Sequence, residues 1–115
     1  MNDGVQTIIF PIQDLEKGKA LLALLAGAEP YMDEPYYVGF KIGGQDVGLD
    51  PGARDKGLTH PTPYWHVADI RAKYQALLDG GATSVQDVRD VGGGKLVASV
   101  RDGEGNVIGL IQDAG

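Results

Sequence analysis

The chain has 115 residues, 43% of them hydrophobic and 23% charged, with a formal net charge of −6 and no cysteine. That length suits one folded domain with a modest core. The composition excludes disulfides and thiolate metal sites, and the acidic balance argues against a nucleic-acid binder, which needs a basic stripe to displace counterions.

The first expected strand is Gln6 to Ile12, and Asp14 then caps a helix whose apolar face is drawn from Leu15, Leu21, Leu22 and Leu25 before Gly27 ends it. The longest apolar run, Ala20 to Ala28, falls well short of the roughly 20 residues a membrane span needs. Met1-Asn-Asp-Gly lacks the basic start and apolar stretch of a secretory signal, so a cytoplasmic protein with no membrane partner is expected. A short extended piece at Glu29 to Met32 precedes a hairpin of Tyr36 to Ile42 and Gln45 to Leu49. The Gly43-Gly44 doublet between them suits the positive φ of a tight turn.

Residues 51–63 are rich in Pro, Gly and charge and lack periodicity, so they read as a linker between modules of about 1–50 and 64–115. The second module repeats the plan. A strand at Tyr64 to Val67 leads through Asp69 to a helix with Ile70, Tyr74, Leu77 and Leu78, stopped by Gly80-Gly81. Strands near Ser84 to Arg89, Lys95 to Arg101 and Asn106 to Gln112 follow, with Asp102-Gly-Glu-Gly-Asn106 as the last turn. One offset carries Thr7 onto Thr62 and Asp14 onto Asp69, and Gly44-Gln-Asp-Val-Gly48-Leu aligns without a gap on Gly105-Asn-Val-Ile-Gly109-Leu. The chain is therefore one βαβββ unit written twice, an α+β domain in which the two copies are expected to pair into one structure.

Strand openings that run into Asp-Leu or Asp-Ile, paired βαβββ modules and the ending Asp102-Gly-Glu-Gly-Asn-Val-Ile-Gly-Leu resemble the vicinal oxygen chelate superfamily over the whole chain. That group includes glyoxalase I, extradiol dioxygenases and bleomycin-resistance proteins. Its usual last turn reads Asp-Pro-Asp-Gly-Asn; here Gly103 and Glu104 replace the Pro and the second Asp, and turn chemistry is kept. The resemblance implies a curved mixed sheet around a cavity with the helices outside, and a divalent cation held by a His-like ligand before each helix cap and a carboxylate near the end of each module. Those positions carry Thr7, Thr62, Gly48 and Gly109. A threonine hydroxyl is a poor ligand beside imidazole and carboxylate, and glycine is none, so neither metal nor cofactor is expected. His60 and His66, separated across Pro61 and Pro63, are too far apart in an extended strand to share an ion.

Strand alternation then selects what lines the cavity. Thr7 and Thr62 bring Ile9, Tyr64 and His66 with them, and Gly109 brings Ile111. Glycine at two carboxylate positions is expected to open space for a flat guest, with Tyr36, Tyr37 or Phe40 reaching in from the middle strand. Trp65 points to the other side of its strand, toward a helix or a subunit contact, and is also a candidate for stacking. His66 is the cavity candidate able to donate a hydrogen bond to a bound ligand or to exchange a proton with it.

The resemblance is nearest in character to dimeric, metal-free antibiotic-binding resistance proteins. It implies sequestration of an aromatic or cationic natural product by a homodimer without catalysis. The alternative is a cofactor-free isomerase, cyclase or hydrolase with His66 as acid or base.

Overall fold

The computed structural model describes residues 2–114, and its eight described strands and two α-helices form an α+β fold. The chain divides into two compact units, residues 7–61 and residues 62–114 together with 2–6.

In the unit of residues 7–61, β1 (Asn2–Pro11) supplies its second half, followed by α1 (Leu15–Ala26), β2 (Met32–Glu34), β3 (Tyr37–Ile42) and β4 (Gln45–Asp50). Their order is β2-β3-β4-β1, with β1 parallel to β4 and the other pairs antiparallel, a mixed sheet. One face packs on α1: Val38, Phe40 and Leu49 are buried there with Phe10, Ile12, Leu15, Leu22, Ala23 and Ala26 against them. Leu21 and Leu25, expected on that face, are instead exposed, as is Leu24. The 100° step of a helix explains it. Leu15, Leu22 and Ala26 fall on one stripe, and Leu21 and Leu25 are rotated away from it.

The segment expected to be a plain linker is built into this unit. Ala53 and Leu58 are buried around a 3-10 turn, Arg54–Lys56. Asp50 fixes its start, accepting from Gly52 N at 2.8 Å and from Lys56 Nζ at 2.8 Å.

The other unit holds β5 (Thr62–Val67), α2 (Ile70–Asp79), β6 (Thr83–Asp90), β7 (Leu96–Arg101) and β8 (Val107–Gln112) in the order β5-β8-β7-β6. Strand β5 runs parallel to β8, and the remaining pairs are antiparallel. Val67, Ile70, Ala98 and Leu110 form its helix-side core, with Tyr74, Leu77, Val88 and Leu96 packed on them. The two units thus share one plan, as the repeated sequence predicts.

Both acids expected to cap helices do so. Asp14 Oδ1 accepts from Lys17 N and Asp69 Oδ1 from Ala72 N, each at 3.1 Å. Asp14→Ala and Asp69→Ala should each cost about 1 kcal/mol, read as a lower urea midpoint at unchanged slope.

Candidate functional site

In each unit the sheet face away from the helix carries the candidate residues. On the first, Thr7 pairs with Asp46 and Ile9 with Gly48 across β1 and β4, and Gly48 pairs with Gly39 across β3. Alternation puts Tyr37 on this face as well. Its ring fills the place a side chain at Gly48 would take, where an added Cβ would lie 2.5 Å from Tyr37 Cζ. Thr7 is buried.

Phe40, expected among them, lies elsewhere: it is 1% exposed in the core under α1. Tyr37 and Phe40 are an odd number of residues apart, so one strand cannot send both to the same face. Tyr36 lies in the exposed turn between β2 and β3, off the sheet.

A residue that sequence reasoning missed completes this face. Tyr31 lies over Gly39, donates to Asp46 Oδ1 at 2.8 Å and has Lys41 Nζ 5.0 Å from its ring centroid. The third glycine, at position 39, was the available signal. Burial, reinforced by the Asp46 carboxylate, pushes the Tyr31 hydroxyl up to about 12. Because an unfolded tyrosine ionises near pH 10, the folded state holds this proton longer. Its contribution is full below pH 10 and is lost as pH rises from there toward 12. Alkaline absorbance titration should show a late phenolate phase that disappears in Tyr31→Phe.

On the second unit, Tyr64, Trp65 and His66 of β5 pair with Gly109, Leu110 and Ile111 of β8. Tyr64, His66, Gly109 and Ile111 therefore share the helix-free face, with buried Thr62 two residues before Tyr64. Trp65 does not. It pairs with Leu110 of the helix-side core and is 39% exposed there, on the side of β5 that alternation predicts and away from the other candidates. The Tyr64 ring lies across Gly109, where an added Cβ would come within 2.6 Å of Tyr64 Cγ.

The two glycines thus differ from expectation in effect. They do not leave empty space, because a tyrosine ring takes up the room that each opens. A divalent cation does not fit these positions. Threonine and glycine give no adequate donor set, rings stand where carboxylate side chains would begin, and no group of three or more His, Cys, Asp or Glu among the described residues is placed to hold one.

His66 Nδ1 lies 3.3 Å from Asp113 Oδ2, and Lys95 Nζ lies 4.0 Å from the other oxygen of that carboxylate. A carboxylate beside Nδ1 favours the tautomer that carries its proton there, leaving Nε2 to accept. Asp113 follows the last strand and carries no motif, so sequence reasoning passed over it.

No family model matches the chain, and no curated protein does. Solved structures do. A glyoxalase/bleomycin resistance protein/dioxygenase superfamily member from Vibrio splendidus 12B01 is 18% identical, with a TM-score of 0.73 over 98% of this chain and 99% of that one. A variant of the Streptomyces coelicolor methylmalonyl-CoA epimerase, in complex with 2-nitronate-propionyl-CoA, is 16% identical with a TM-score of 0.77, covering 100% of both chains. The methylmalonyl-CoA epimerase from Mycobacterium tuberculosis is 14% identical, with a TM-score of 0.72 over 99% of this chain and 90% of that one. At these identities the likeness is one of fold. Among the described residues no helix is long and apolar enough to cross a membrane.

Proposed function

From the paired-module fold of the vicinal oxygen chelate superfamily, which this chain has, we propose that the protein binds a small organic molecule without a metal and protects its cell by sequestering it. The ligand class is an aromatic natural product of antibiotic type, and the working form is a cytoplasmic homodimer. The observation that carries this reading is the replacement of ligand side chains by flat rings: Tyr37 over Gly48 and Tyr64 over Gly109. Rings resting on a sheet present π-faces and edges to a planar guest and offer a metal nothing. Ile9 and Ile111 add apolar surface on the same faces.

Isothermal calorimetry on EDTA-treated protein against a panel of aromatic antibiotics tests it, with each ligand recovered for mass analysis. Saturation near one ligand per chain at unchanged mass supports sequestration. Absence of heat across the panel would remove this function and leave the fold. Because Trp65 lies on the opposite side of β5 from Tyr64 and His66, calorimetry is a more direct readout than tryptophan emission.

A second function is favoured by one specific contact, His66 with Asp113. A cofactor-free isomerase, cyclase or hydrolase would use Nε2 as the base, with Asp113 fixing the ring. Epimerases occur among the chains similar in fold. Altered ligand mass, abolished in His66→Ala, would put this function first.

A further inference from the structure

Register arranges the helix-free face of the β5-β8-β7-β6 sheet in rows. Tyr64, Gly109 and Ser99 make one row; His66, Ile111, Val97 and Arg89 make the row on one side, and Val107, Arg101 and Thr83 the row on the other, while the β6–β7 register shifts on both sides of Gln86. In the middle row Ser99 is 1% exposed, and its Oγ has no hydrogen-bond partner among the described residues. A buried hydroxyl without a partner costs free energy that alanine would not. Its neighbour across β8 is Gly109, whose missing side chain lets the Tyr64 ring lie on the strand next to Ser99.

The charges around this row differ from those of the whole chain. Arg101 and Arg89 stand on the same face in the flanking rows, and neither makes an ion pair in the described set. The acid beyond the Arg89 row, Asp113, is engaged by His66 and Lys95 and lies at the flank away from Arg101. Arg101 is half-buried, which strengthens its attraction for an anion relative to a fully solvated side chain. The net charge of −6 suggests a cationic ligand, but the local charge favours an anionic one.

We propose that Ser99 is the anchoring hydroxyl of a site for a carboxylate-bearing aromatic molecule, with Arg101 as counter-ion and Tyr64 as the stacking surface. This rests on the small-molecule-binding function proposed above and narrows its ligand class. The carboxylate takes a hydrogen bond from Ser99 Oγ, and the partner missing from the free protein is supplied by the ligand. Tyr64, the one ring in the row, moves off Gly109 to open the way to Ser99 and then stacks on the bound ring.

Three probes of one shape separate the possibilities: 2-naphthoate, neutral 2-naphthamide and cationic 2-naphthylmethylammonium, each titrated into ¹⁵N-labelled protein. Naphthoate should shift the amides of Ser99, Gly109 and Arg101 and bind at least about tenfold more tightly than the other two. Ser99→Ala should lose about tenfold in naphthoate affinity while its melting temperature stays unchanged or rises by up to about 4 °C. Arg101→Gln should remove the preference for naphthoate over naphthamide. If the three probes bind this face equally, or if Ser99→Ala melts lower with naphthoate affinity intact, the anionic site is wrong and aromatic binding stands. If no probe shifts any amide of this face, both the site and the binding function fall.

Discussion

Phe40→Ala should lower the unfolding free energy by about 4 kcal/mol, the largest loss expected from any single truncation in the chain. Phe40 is among the largest fully buried side chains, enclosed with Val38 and Leu49 beneath α1. That helix contributes no fully buried residue of its own, so its attachment depends on the sheet-side core. Truncation leaves a cavity where Phe10, Leu22 and Ala26 converge, and close-packed neighbours relax only in part. Chemical denaturation should show the loss, while ligand binding by the folded fraction should be unchanged. Were Phe40 a ligand contact, affinity would fall and stability would hold.

The second large effect concerns Gly109. Gly109→Ala is expected to cost about 2 kcal/mol, because its new Cβ meets the base of the Tyr64 ring, Cγ and Cε2 both at 2.6 Å. An atom so near the ring's attachment cannot be avoided by a small rotation, and the backbone or the whole side chain has to move. Gly48→Ala should cost less, since the nearest atom there is the hydroxyl end of Tyr37, which can swing. A double-mutant cycle separates clash from glycine's other effects. With Tyr64→Ala in the background, Gly109→Ala should become nearly neutral, and the two changes should be strongly non-additive. Full additivity would mean that the ring and the glycine are independent.

How much of this was legible depends on range. The duplication, the two Asp caps and the glycine turns are written in adjacent residues, and each appears where local chemistry puts it. The correspondence of Thr7 with Thr62 and of Gly48 with Gly109 was legible because the repeat aligns them. The filling of the glycines was not. Tyr37 reaches Gly48 from another strand and Tyr64 reaches Gly109 across the β5–β8 pair, and nothing in either module's own sequence announces which ring will lie on which backbone. Phe40 is hard to place because three aromatic residues within five positions look like one cluster, although strand period two divides them. Leu21 and Leu25 mislead for the corresponding reason in a helix. A leucine-rich segment offers several stripes, and only the facing sheet selects one. Ser99 and Asp113 carry no motif, and their significance arises from burial and from a neighbour distant in sequence.

The ordered segment after β4 has a consequence for how the protein meets proteases. Its two tryptic sites, Arg54 and Lys56, sit within a turn flanked by buried Ala53 and Leu58, and the Lys56 side chain is committed to Asp50. A protease needs several residues in extended form, which here requires local opening of that turn. Cleavage between the two repeats is therefore governed by an opening equilibrium, and a segment that looks like a cleavable tether should survive digestion until Asp50→Ala frees it.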